Sequence, residues 1–311
     1  SLYFYGEILN TAGTDRSYTE YTEYMSVNGN AMSDTIRYAV TGKNADRLLS
    51  ADYIDGVMAN QTVLWAESHD QYANETQTTT NISDASITKT YVIDASRKDA
   101  TSLYFVRPGS STFMGECGSY IWQSIEVSSI NRFHNYFVGT DEAISINNGF
   151  YLNERYDDTR KGIVIVDIEG NENVSKIPVT QLPDGNYIDQ VSGETFVVKN
   201  SKISGTVGAS GVAVIYNNPY EPKPVVYVSN DGLHGSFSDT LTISVNSYHT
   251  TEAYYSLNGG TKESFSGNID IVLSHPDDNA IVTLDFELWY GTYKIERHFE
   301  YVKSNIVVTE V

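Results

Sequence analysis

The sequence predicts an α/β segment followed by two all-β segments, and three features of its patterning carry that prediction. Short apolar runs alternate with helix-like stretches up to about residue 139. Helix signals then vanish between 140 and 218, where short apolar runs are separated by Asn, Gly, Asp and Pro. From 222 to 311, apolar and polar residues alternate along longer runs.

In the first segment, residues 1–139, the runs Leu2–Tyr5, Val63–Trp65 and Leu103–Val106 read as strands of a parallel sheet, because helix-like stretches intervene. One helix is expected near Ser33–Thr41, with Ile36, Ala39 and Val40 on one face and Gly42 as its stop. Another is expected near Val127–Phe137, where Ile130, Phe133 and Phe137 recur at helical spacing. In the second segment, residues 140–218, Gly162–Ile168, Glu194–Val198 and Gly211–Tyr216 read as strands of a compact antiparallel domain, with Leu182-Pro183-Asp184-Gly185 as a turn. Three prolines within Asn217–Pro224 fix backbone angles and remove donors, so this stretch is expected to be a semi-rigid linker. In residues 222–311, the alternations Leu241, Ile243, Val245 and Val282, Leu284, Phe286, Leu288, with an Asn258-Gly259-Gly260 turn, predict a small β-sandwich.

Composition narrows the function. Forty acidic against 20 basic residues give a net charge of −20, which repels nucleic acid and anionic lipid alike. No run of about 18 apolar residues occurs, so no helical membrane span is expected. A single cysteine, Cys117, excludes an intrachain disulfide and reads as a small structural side chain. Tyrosine dominates the aromatic set, 24 residues against 3 Trp and 11 Phe, and a ring that also carries a hydroxyl suits sugar surfaces and β-sheet faces equally. The opening, Ser1 followed at once by an apolar run, reads as the start of a fragment.

Two motifs carry chemistry. Tyr5-Gly6-Glu7-Ile8-Leu9 follows an apolar run, and Trp65-Ala66-Glu67-Ser68-His69-Asp70 follows Val63 and Leu64. In a β/α barrel the C-terminal ends of the strands face the active site, so Glu7, His69 and Asp70 would converge on one mouth. Arg132 and His134 read instead as structural residues, and Asp277-Asp278 beside Pro276 reads as a turn.

Taken in order, YGEIL, the DTIRYAV helix, WAESHD, LYFVRPG, the NRFHN helix, KGIVIV, the segment Leu182–Tyr187 and SGVAVIY resemble the second half of an α-amylase of glycoside hydrolase family 13, of the secreted bacterial type. The resemblance covers about residues 1–218 and implies that the chain begins at the fifth strand of a (β/α)8 barrel, with a C-terminal β-domain after the half-barrel. It also implies an extracellular enzyme whose signal peptide would lie upstream, and which hydrolyses α-1,4-glucosidic bonds in starch with retention.

By that resemblance Glu7 corresponds to the general acid/base and Asp70 to the second carboxylate, which supports the oxocarbenium-like transition state. His69 corresponds to a sugar-binding histidine, and Asn74 to a weaker substrate contact. The nucleophilic Asp, expected at the end of the fourth strand, is missing from the chain, so the fragment alone is expected to be inactive. Calcium is expected for the intact enzyme, with no clear ligands here. Ser68 stands where chloride-dependent relatives carry Asn, which argues against chloride activation. The sandwich loosely resembles fibronectin-like or starch-binding modules, and Tyr254, Tyr255, Trp289, Tyr290 and Tyr293 would give it weak glucan binding. The alternative is a non-catalytic carbohydrate-binding or cell-surface protein with a vestigial barrel.

Overall fold

The computed structural model describes residues 3–8, 16–73, 78–108, 121–217, 223–230, 232 and 236–304. Cys117 and the linker residues 218–222 lie outside these. The chain divides into two compact units, the first holding the described residues up to Asn217 and the second those from 223 onward together with 121–123.

The first unit opens with β1 (Tyr5–Gly6), α1 (Tyr18–Tyr21), β2 (Ser26–Asn28) and α2 (Asn30–Thr41). It continues with β3 (Thr62–Trp65), α3 (His69–Ala73), α4 (Asp84–Ser96), β4 (Thr101–Leu103) and α5 (Ile125–Tyr136). The four strands form one parallel sheet in chain order, β1-β2-β3-β4. Serines start three of the helices: Ser17 closes a capping box with Glu20, and the hydroxyls of Ser83 and Ser124 accept the amides of Ser86 and Val127. Before α2 stands Gly29 instead, because a Cβ there would meet the Leu64 and Thr62 side chains at 2.7 and 2.8 Å.

Helix α2 extends further toward its N-terminus than the pattern predicts, and it buries Ile36, Ala39 and Val40 as expected, together with Met32, Ser33 and Arg37. The fourth strand differs from expectation. It ends at Leu103, and Tyr104 to Val106 continue as a connection in which the Tyr104 and Phe105 side chains line the cleft described below. Helix α4 is not visible in the sequence pattern at all. Nine of its thirteen residues are buried on every side, so no apolar stripe survives to reveal it.

Two antiparallel four-stranded sheets follow in the same unit. One runs β12-β7-β6-β5, built from β5 (Asp141–Asn147), β6 (Phe150–Tyr156), β7 (Lys161–Asp167) and β12 (Val212–Tyr216). The other runs β8-β11-β10-β9, from β8 (Asn173–Pro178), β9 (Gly185–Ile188), β10 (Thr195–Val198) and β11 (Lys202–Thr206). Phe150, Leu152, Ile163 and Ile165 of the first share a core with Val174, Ile177, Phe196 and Ile203 of the second. Buried Arg155 ties this part to the helices, donating to the Ser96 carbonyl at 3.0 Å and the Phe137 carbonyl at 2.8 Å. Both acceptors lie at helix C-termini, where free carbonyls and the helix dipole favour a cation.

The second unit carries β13 (Val225–Val228), β14 (Ser236–Phe237), β15 (Thr240–Tyr248), β16 (Glu252–Leu257), β17 (Glu263–Phe265), β18 (Asn268–Ser274), β19 (Ile281–Tyr290) and β20 (Tyr293–Lys303). They form a three-stranded sheet, β13-β15-β18, and a five-stranded sheet, β14-β20-β19-β16-β17. The alternating residues Ile243 and Val245 and Val282, Leu284, Phe286 and Leu288 face a shared core. At the turn after β16, Asn258 and Gly259 both take positive φ, 51° and 66°, the geometry that makes Asn-Gly a tight-hairpin signal.

Candidate active site

Because β1 to β4 are parallel, the connections leaving their C-terminal ends gather on one side of the sheet. There Tyr5 and Glu7 from β1, Trp65, Glu67, Ser68 and His69 from β3, and Tyr104 and Phe105 after β4 line a cleft of about 220 Å³. The structure thus brings Glu7 and His69 together although 62 positions separate them in the chain. Asp70 stands beside His69, with carboxylate and imidazole 3.5 Å apart and both side chains more than half exposed. It lies next to the cleft and is not among the residues that line it. Asn74 falls outside the described residues.

Two residues of the site were not singled out from the sequence. Glu67 is 1% exposed, and its two carboxylate oxygens accept from Arg107 Nε and one of its terminal nitrogens at 2.6 and 2.9 Å. Such a fork-to-fork pair is both strong and directional. The same guanidinium donates to the Thr79 and Ile82 carbonyls and to Asp84, and lies 4.9 Å from the Tyr72 ring centre. Arg107 therefore pins the connection after β3 and the start of α4 against the connection after β4. Glu67 sits two residues before His69, and only its position inside WAESHD could have marked it; its partner lies 40 residues on.

Around the site, His134 plays the structural part expected of it. Its Nδ1 lies 2.8 Å from the Ala95 carbonyl, and burial holds its imidazole below the usual value. Asp278 accepts from Lys303 at 3.1 Å. Among the described residues, no three His, Cys, Asp or Glu side chains gather as a cation site.

In the second unit the aromatic residues divide. Tyr255 packs against the core, while its hydroxyl donates to Glu263. Trp289 donates its Nε1 to Glu287 at 3.0 Å, and the Lys294 ammonium lies 5.5 Å from its ring centre, so this indole is already engaged. Tyr290 and Tyr293 stay exposed at the tip of the β19–β20 hairpin, with the Lys223 ammonium 5.5 Å from the Tyr293 ring centre.

Over 247 residues the chain is 32% identical to an α-amylase of Clostridium acetobutylicum, an alignment covering 78% of this chain and 31% of that protein. Most of this chain is thus similar to one part of an α-amylase. An α-amylase of Butyrivibrio fibrisolvens is 31% identical over 239 residues, covering 69% of this chain and 24% of that one. The chain thus spans less than a third of the length of these relatives. No protein-family profile matches it. The crystal structure of an α-amylase from Geobacillus thermoleovorans complexed with acarbose is similar in fold, with a TM-score of 0.50 at 9% identity, covering 69% of this chain and 53% of that one.

Proposed function

We propose that this chain is the C-terminal portion of an extracellular α-glucan hydrolase that cuts α-1,4 bonds with retention, and that its parallel sheet is the second half of a (β/α)8 barrel. The observation that carries this reading is the placement of Glu7 and His69 in one cleft beyond the C-terminal ends of β1 and β3, two strands of one parallel sheet. The exposed Tyr3, Phe4 and Tyr5 at the open β1 edge also support it, since such an edge calls for a further strand.

In this reading Glu7 protonates the glycosidic oxygen and later takes a proton from water. Asp70 supports the cationic sugar in the transition state, and His69 donates to a sugar hydroxyl. Tyr5, Trp65 and Tyr104 offer rings against which a pyranose face can pack. The attacking carboxylate would come from the preceding part of the barrel, and calcium would be held there as well. Any weak glucan binding by residues 222–311 would fall to Tyr290 and Tyr293, since Trp289 is engaged.

The test joins the chain to its upstream coding sequence and measures release of reducing ends from soluble starch, with the anomer of the first product read by NMR. The α-anomer should appear first. Glu7→Gln and Asp70→Asn should each lower kcat by about a thousandfold. More than about a tenth of the activity left in either variant would refute the assigned roles. Glucan binding without any hydrolysis would favour the vestigial-barrel alternative.

A further inference from the structure

The side chains of His69 and Asp70 are 60% and 55% exposed, so little packing holds them and their direction is set by the backbone that carries them. That backbone is anchored from outside, by one face of α2. Ser33 Oγ accepts the Trp65 amide at 3.2 Å. One turn further along, the Arg37 guanidinium, 3% exposed, donates to the Ala66 carbonyl at 2.8 Å. Its other arm pairs with Asp34, and the same Asp34 oxygen accepts the Gln71 side-chain amide at 3.3 Å. The carbonyl end of that amide accepts the Ser68 backbone N–H at 3.0 Å.

The turn from Ala66 to Gln71 is thus fastened at both ends to one pair of residues, Asp34 and Arg37, and His69 and Asp70 lie between the fastenings. A buried guanidinium is costly unless its donors are satisfied, and here they go to the main chain of this turn and to the carboxylate that holds the turn's far end. Asp94, fully buried on α4, is near enough to Arg37 and Arg97 for both cations to pull on its carboxyl.

We infer that Asp34, Arg37 and Gln71 are positioning residues for the site, fixing the turn that presents His69 and Asp70. The inference rests on the reading of those two residues as sugar-binding groups. Gln71 is the point to perturb, because its side chain is only partly buried and its loss leaves the Arg37–Asp34 pair in place.

Two measurements test this. In the 311-residue chain, Gln71→Ala should speed hydrogen exchange of the Ser68 amide by about tenfold, with the melting temperature unchanged. In the starch-hydrolysing longer protein the same substitution should lower kcat by about tenfold or more while KM moves less than about threefold, the mark of a displaced group that acts in the transition state. Unchanged exchange at Ser68 in Gln71→Ala would overturn the anchoring. Faster exchange with unaltered kcat would overturn the positioning role. An unsubstituted longer protein that cuts no starch would instead overturn the hydrolase reading, and with it the sugar-binding role of the turn, while the exchange data still judge the anchoring.

Discussion

Glu154→Gln changes no volume and removes no apolar contact, so it isolates one buried carboxylate. Glu154 lies on β6 and is 5% exposed. One of its oxygens accepts the Thr180 amide and hydroxyl at 2.7 and 2.9 Å, the other the Gln181 and Leu182 amides at 2.6 and 2.9 Å. Whichever way a glutamine amide is turned, its NH2 faces at least one backbone N–H, which then loses its acceptor. That unsatisfied donor costs about 1–3 kcal/mol, and the surviving bonds fall from about 1.5–3 to about 0.5–1.5 kcal/mol each as the charge is lost. The sum is about 3–5 kcal/mol. In a unit of this size each kcal/mol moves the melting temperature by about 2–4 °C, so a fall of about 10 °C is expected in a calorimetric or circular-dichroism melt. A drop of less than about 2 °C would show that the segment from Thr180 to Leu182 does not depend on this carboxylate.

Two pH-linked predictions follow from buried and paired groups. Burial pushes the Asp94 carboxyl up to about 8, against the pull of Arg37 and Arg97. Between its unfolded value of about 3.9 and that point, the folded state keeps a proton that the unfolded state has released, so this group makes stability fall as pH rises. Asp94→Asn should flatten that fall, visible as urea midpoints that diverge from the parent between pH 5 and pH 8; parallel profiles would refute it. On the sandwich, the His298 imidazole is held above its usual value by Asp285, 2.6 Å away, and then by Glu300. Its contribution is present below the unfolded value of about 6.5 and is lost as pH rises through the folded one. An NMR titration should therefore find His298 above about 6.5, and Asp285→Asn should bring it down; an unmoved midpoint would sink the pairing.

The sequence by itself determined what local chemistry can dictate. Alternation at Val282, Leu284, Phe286 and Leu288 is enough to make a strand with one buried face, and Asn258-Gly259 is enough to make the tight turn after β16, because both depend on the residues themselves. The apolar face of α2 and the strand-end motifs around Glu7 and His69 were legible for the same reason. Tertiary structure alone decided the rest. Helix α4 was hidden because burial on all sides erases the period that reveals a helix. The fourth strand stops at Leu103, since Tyr104 and Phe105 turn to the cleft, and an apolar run does not say which of its residues will pair. The pairs that shape the site, Glu67 with Arg107 and Arg37 with the Ala66 carbonyl, join residues 40 and 29 positions apart. A charged side chain has no periodicity to announce its partner. Only the packing of α2, β3 and the connection after β4 removes water from these groups and turns their donors to acceptors of the protein.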